Sequence, residues 1–256
     1  MGRLEIVRDF HSPPEGVERT LRIWYPEAYD RHPRRRFPVL YLHDGQNLFD
    51  HPESALAETW HVDRAMDALA GAGLEPWIVV AIDHRGVDRM SDYSPWDAPV
   101  EKIQGRGSSY GEFLSEHLKP QVDRTLRTRR EPEWTALGGS SLGGLISLHV
   151  GMTRSDVFGR VAALSPSVMW ARRRLFKEWR GHLPLRIYLD AGAREQIVRG
   201  QRKYDYGRAA RDFQRHLIEQ GYGESDLRVV LEPGGEHSEP DWRRRLPSAL
   251  RWLLWD

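Results

Sequence analysis

Trp134-Thr135-Ala136-Leu137-Gly138-Gly139-Ser140-Ser141-Leu142-Gly143-Gly144-Leu145-Ile146-Ser147-Leu148 is the stretch on which the reading of the whole chain depends. Its first four residues read as a short strand. Leu142, Leu145, Ile146 and Leu148 then take up helical spacing. Between them lies G-x-S-x-G, formed by Gly139, Ser141 and Gly143. A serine on a sharp strand-to-helix turn is the context that gives this short pattern meaning, because the turn lifts its hydroxyl clear of the sheet. So tight a turn needs neighbours without bulk. Ser141, unlike Ser140, has glycine at both flanking positions of the motif, so Ser141 is the candidate nucleophile. The helix that follows aims free backbone N–H groups and the positive end of its dipole at whatever the serine attacks.

Outward from this turn, the pattern is strand and helix in alternation. Leu4–Val7 and Thr20–Tyr25 read as extended segments joined by the turn-rich Ser12-Pro13-Pro14-Glu15-Gly16, an antiparallel N-terminal pair. Val39-Leu40-Tyr41-Leu42 and Trp77-Ile78-Val79-Val80-Ala81-Ile82 are continuous apolar runs, as expected of strands buried on both faces. Val161–Leu164, Leu185–Leu189 and Leu227–Leu231 continue the series. Helical stripes fall at Trp60–Leu69, Tyr110–Leu126 (with Pro120 expected to kink or interrupt it), Tyr206–Leu217 and Trp242–Leu253. The expectation is an α/β fold spanning residues 1–256 as a single domain. Its central sheet is mostly parallel, with the antiparallel pair at its N-terminal side and helices on both faces. In such sheets ligands collect beyond the carboxyl ends of the strands.

Composition narrows the chemistry. The 256 residues carry a net charge of +1, with 29% charged and 39% hydrophobic residues. That is a globular balance with no general electrostatic case for nucleic acid or an anionic membrane. All but four of the 38 basic residues (Lys102, Lys119, Lys177 and Lys203) are arginine, and runs such as Arg172–Arg174 and Arg243–Arg245 read as solvated faces or ion-pair partners. There is no cysteine, hence no disulfide and no thiolate chemistry. Met1-Gly2-Arg3-Leu4-Glu5 lacks an apolar signal core and no run approaches a membrane span, so a cytoplasmic protein is expected. No cofactor or metal is implied. His43, Asp44, Asp83 and His84 end neighbouring strands, but their spacing matches no ligand motif.

A serine hydroxyl needs an imidazole to take its proton, and the imidazole needs an acceptor to fix its tautomer. Of eleven histidines, His237 alone lies in a loop after the last strand, beside Gly234-Gly235 and before Ser238-Glu239-Pro240. His43 and His84 also end strands but precede Ser141. For the acid, Asp190 and Glu195 both follow the strand between elbow and histidine, and spacing alone does not choose between them. The order Ser141, then Asp190 or Glu195, then His237 is the Ser–acid–His order of α/β-hydrolases. The backbone N–H groups of Leu142 and Gln46 are the candidate oxyanion donors, Gly45 letting the second loop approach closely. Tyr93, Trp96 and Trp170 follow strands and are candidates for an aromatic substrate pocket.

With these residues placed, the chain resembles the esterase family of α/β-hydrolases that includes enterochelin esterase-like and feruloyl esterase-like enzymes. The resemblance rests on Pro38–Asp50, Arg89 with Asp92-Tyr93-Ser94-Pro95, Phe113-Leu114 through Pro120, Gly138–Gly144, Ser165-Pro166-Ser167 and Gly234–His237. It implies the α/β-hydrolase fold and a small-molecule ester as substrate without specifying which; a siderophore-like trilactone or an aromatic ester would fit the expected aromatic pocket. The family's acid stands in a G-x-x-D or G-x-x-E turn, here Gly192-Ala193-Arg194-Glu195, so the resemblance implies Glu195 rather than Asp190. The expected activity is a serine carboxylic-ester hydrolase working through an acyl-enzyme. The alternatives are a non-catalytic binding protein of the same fold and an acyltransferase using the same residues.

Overall fold

The computed structural model describes residues 2–55, 58–200 and 202–255. Its strands are β1 (Arg3–Ser12), β2 (Val17–Tyr25), β3 (Val39–His43), β4 (Ile78–Ile82), β5 (Thr135–Ser140), β6 (Arg160–Leu164), β7 (Arg186–Gly192), β8 (Gln196–Arg199), β9 (Arg202–Asp205) and β10 (Leu227–Glu232). Its helices are α1 (Glu27–Arg31), α2 (Val62–Gly71), α3 (Arg89–Asp92), α4 (Gly107–Glu112), α5 (Lys119–Thr125), α6 (Leu142–Thr153), α7 (Trp170–Glu178), α8 (Tyr206–Glu219) and α9 (Glu239–Leu254).

Eight strands form one sheet in the order β1-β2-β4-β3-β5-β6-β7-β10. The β1–β2 and β2–β4 pairs are antiparallel, and every pair from β4 to β10 is parallel. This is the α/β-hydrolase sheet with its antiparallel N-terminal pair, and the continuous apolar runs explain it. Successive strand residues face opposite ways. Val39 and Tyr41 of β3 join a core with Leu145 of α6, Leu175 of α7 and Phe213 of α8. Leu40 and Leu42 join a second core with Met66 of α2 and Leu246 and Leu250 of α9. A strand with helices on both sides must be apolar at every position, which is why these segments show no alternation. Helix α6 lies so deep that Leu142 through Leu148 are all buried.

Pro120 neither ends nor breaks its helix. Backbone from 107 to 125 stays helical, but Phe113–Leu118 between α4 and α5 is a π-helical turn. Proline removes one donor and crowds the carbonyl four residues before it, and the widened turn just ahead of it takes up that mismatch. The separate β8–β9 hairpin was not anticipated. It has four residues per strand, mostly polar, and its apolar cross-strand pair, Ile197 with Tyr204, leaves too short an alternation to be read in one dimension. The segment between β4 and α4 holds α3.

The carboxyl ends of the parallel strands point to one edge of the sheet. Asp44 follows β3, Ser141 follows β5, Ser165 follows β6, Glu195 follows β7 and His237 follows β10. The topology therefore gathers residues far apart in sequence at a single rim. Among the described residues, no helix is long and apolar enough to cross a membrane.

Candidate active site

Ser141 sits between β5 and α6 with φ 56° and ψ −120°. A side chain rarely adopts such backbone angles, and their cost of about 1–3 kcal/mol is borne by the packing around the turn. The glycines make it possible. A Cβ on Gly139 would meet the Gly143 carbonyl carbon at 3.0 Å and the His43 ring at 3.1 Å, and one on Gly143 would lie 3.3 Å from Asp44 Oδ2. Ser140, the last residue of β5, is buried.

His237 Nε2 lies 3.0 Å from Ser141 Oγ. On its other side His237 Nδ1 lies 2.5 Å from Glu195 Oε1. The three side chains thus form a continuous hydrogen-bonded line from hydroxyl to imidazole to carboxylate, and the wide gap expected of a fold that had lost its constellation is not found. The ring of His237 packs against Tyr206, centroids 4.2 Å apart, and edge-on against Trp242 at 4.8 Å. These contacts leave the imidazole little room to rotate. Ser167 Oγ stands 3.4 Å from Ser141 Oγ.

Asp190 is placed away from His237. Its Oδ1 accepts the Ser165 N–H at 3.1 Å, and Oδ2 faces Arg245 Nε at 3.5 Å. Burial pushes its carboxyl up to about 7, against the pull of the Arg245 charge. A carboxyl raised in the folded state binds a proton that the unfolded chain has already released. Asp190 therefore costs stability progressively as pH rises from about 4 to about 7, and the loss levels off above that. The Tm difference between Asp190→Asn and the wild type should grow in favour of the variant across that window when melting curves are taken from pH 4 to 8. A difference that stays flat with pH would contradict the raised value.

Leu142 is the first residue of α6, so its N–H is among those a helix leaves without an intrahelical acceptor. Gln46 lies in the single 3-10 turn Gly45–Asn47 after β3. Its side chain is spent on His84, donating to the carbonyl and accepting the N–H, each at 3.0 Å, which fixes the turn. Asp44 ahead of it adopts the left-handed conformation and is gripped by Arg89 through two bonds of 2.6 and 2.7 Å. Burial raises the Asp44 carboxyl and the Arg89 charge outweighs it, so its pKa is lowered overall. His43 is buried with Nδ1 2.9 Å from the Tyr110 hydroxyl, and burial drives it down to about 3. It is a neutral packing residue at ordinary pH. Asp83 pairs with Arg22, and the His84 ring accepts the Gly86 N–H, so the strand-end polar cluster is consumed locally.

Of the three expected pocket aromatics, the structure brings only Trp170 to the cleft above Ser141. That cleft is also walled by Arg89, Met90, Met169, Tyr204 and Tyr206. Tyr93 is corrected to a supporting role, since it is wholly buried and its hydroxyl accepts the Asp44 N–H at 3.2 Å. Trp96 is also displaced from the cleft, its indole N–H donating to Glu178 at 3.0 Å and its ring packing on His149. Met169 and Tyr204 are shared with a neighbouring groove of about 520 Å³, whose rim carries Arg172, Arg174, Arg202 and Lys203 beside Asp97 and Glu101.

Two residues at the site escaped the sequence reading. In the sequence Ser165 is one residue of Ser165-Pro166-Ser167, and Arg245 stands within the basic run Arg243–Arg245. Helical spacing carried a signal for the second, because Arg245 lies three residues after Trp242 and one before Leu246, on the buried stripe of α9.

The family model Esterase, described as "Putative esterase", matches residues 12–253. The chain is 24% identical over 260 residues to the uncharacterized protein YbbA of Bacillus subtilis, covering 94% of this chain and 95% of the relative. It is 25% identical over 201 residues to the ferri-bacillibactin esterase BesA of the same organism, covering 70% and 67%. Among solved structures, an IroE-like serine hydrolase from Shewanella oneidensis superposes with a TM-score of 0.76 at 20% identity, over 97% of this chain and 79% of that one.

Proposed function

The chain belongs to the Esterase family and is an ester hydrolase, and from that premise we propose that it cleaves carboxylic esters by serine nucleophilic catalysis within a single α/β-hydrolase domain. The observation that carries this reading is the hydrogen-bonded line Ser141–His237–Glu195, with separations of 3.0 and 2.5 Å. Ser141 Oγ attacks the ester carbonyl while His237 Nε2 takes its proton. Glu195 Oε1 accepts the hydrogen bond from Nδ1–H, holds the required tautomer and stabilises the imidazolium as it forms. The oxyanion is received by the backbone N–H groups of Leu142 and Gln46, each worth about 3 kcal/mol of barrier in sites of this kind. The alcohol leaves with the proton from His237. Water then attacks the acyl-enzyme by the same relay and frees Ser141.

The body of the ester lies over Trp170, Tyr204 and Tyr206 and extends into the groove beyond Met169. An aromatic ester with a bulky, negatively charged part suits that lining, where cations outnumber acids. A relative is named for ferri-bacillibactin, so siderophore esters are the first class to test.

The covalent step is tested with a fluorophosphonate, which captures a nucleophilic serine irreversibly. Labelling at one equivalent, with the adduct on the peptide holding Ser141 by mass spectrometry, is the expected outcome. An adduct elsewhere, or none in protein that still turns over esters, refutes the mechanism.

A further inference from the structure

Glu195 is held by a buried relay whose proton positions follow from donor counting alone. Ser165 Oγ lies 2.8 Å from Arg245 Nη2, 3.1 Å from Trp242 Nε1 and 2.8 Å from Glu195 Oε2. A guanidinium and an indole N–H can only donate. Ser165 therefore accepts from both, and its single hydroxyl proton goes to Glu195 Oε2. That oxygen also accepts the Gly192 N–H at 2.7 Å. With Oε2 fixed by two donors, Oε1 faces the imidazole. Ser165, Glu195 and Arg245 are all buried, so these bonds act where solvent does not compete.

We propose that Ser165 and Arg245 are positioning residues that act through Glu195, Arg245 supplying the charge and Ser165 the one oriented hydroxyl that fixes the carboxylate on His237 Nδ1. The proposal rests on the Ser141–His237–Glu195 reading. Arg245 is the cation facing three carboxylates, with Asp190 Oδ2 at 3.5 Å, Glu232 Oε2 at 3.7 Å and Glu195 Oε2 at 3.9 Å. Burial keeps Asp190 protonated up to about pH 7, which leaves more of the Arg245 charge to Glu195. Ser165 is also held at φ 41° by its own N–H, which donates to the Asp190 carbonyl at 2.9 Å. That strained backbone is what turns the hydroxyl toward Glu195.

The test is the pH profile of kcat/KM for 4-nitrophenyl acetate in Ser165→Ala and Ser165→Gly. The acid limb reports protonation of the His237–Glu195 pair. The titratable and charged groups around that pair are Asp190 of β7, whose charge acts on Glu195, Arg245 of α9, Tyr206 of α8 against the His237 ring, and Glu232 of β10, which faces Arg245. Asp190→Asn is run alongside, because its carboxyl titrates in the same range. Removing a donor whose positive end points at the carboxylate favours proton uptake by the pair. The acid limb should move upward by roughly half a pH unit or more, and plateau activity should fall about ten-fold. The far-downfield Nδ1 proton resonance of His237 should shift in both variants. Glycine tolerates φ 41°, so Ser165→Gly carries the test if Ser165→Ala does not fold. Folded variants with the acid limb and the resonance unmoved overturn the proposal. Full activity in Glu195→Gln would instead overturn the reading beneath it.

Discussion

Ser141→Ala should lower kcat/KM for 4-nitrophenyl acetate by roughly 10⁴-fold or more while leaving Tm within a few degrees of wild type. The chemistry has no substitute nucleophile. Ser167 is close, its hydroxyl 3.4 Å from that of Ser141, but its other neighbour is the Tyr206 hydroxyl, and no contact between Ser167 and His237 Nε2 is seen. The residual rate should be that of the oxyanion donors and of binding alone. Stability should change little because the substitution removes one half-buried oxygen and leaves the strained backbone at φ 56° in place. Steady-state kinetics with thermal melts checks both halves. A variant that keeps more than a tenth of the wild-type rate would mean that Ser141 is not the attacking group.

Glu195→Gln should cost roughly 10³- to 10⁴-fold in kcat/KM, and Asp190→Asn less than about ten-fold. The geometry separates the two carboxylates. Glu195 Oε1 is 2.5 Å from His237 Nδ1, whereas Asp190 is engaged with the Ser165 backbone and Arg245. A glutamine can turn its amide N–H toward Nδ1. The imidazole then carries its proton on Nε2 and cannot accept one from Ser141. Asparagine at 190 keeps an oxygen for the Ser165 N–H, so it disturbs the site only through Arg245. Equal losses in the two variants would return the choice of acid to the open state in which spacing alone leaves it.

Much of the rim was legible in one dimension because each residue there follows a strand that could be recognised. The apolar run at Val39–Leu42 and the glycines around Ser141 each have a local physical cause, burial on two faces in one case and close backbone approach in the other. Tyr93 and Trp96 were misplaced because position after a strand fixes a residue's neighbourhood but not the direction of its ring. That direction is set by hydrogen bonds to Asp44 and Glu178, which are distant in sequence. Ser165 and Arg245 were obscured for a different reason. A small hydroxyl residue and an arginine in a basic run look like turn and surface, and only the folded chain brings them to within 2.8 Å of one another. The β8–β9 hairpin, which brings Ile197 and Tyr204 to the cleft, has too few residues to show a period.

The long sequence separations within the site set a timetable for biosynthesis. His237 is 96 residues beyond Ser141, and Trp242 and Arg245 come later still, on α9. A ribosome has therefore delivered the elbow, its helix and the carboxylate of Glu195 before it delivers His237. On the proposed mechanism, Ser141 then has no imidazole to take its proton until His237 has been made and α9 has docked against the sheet.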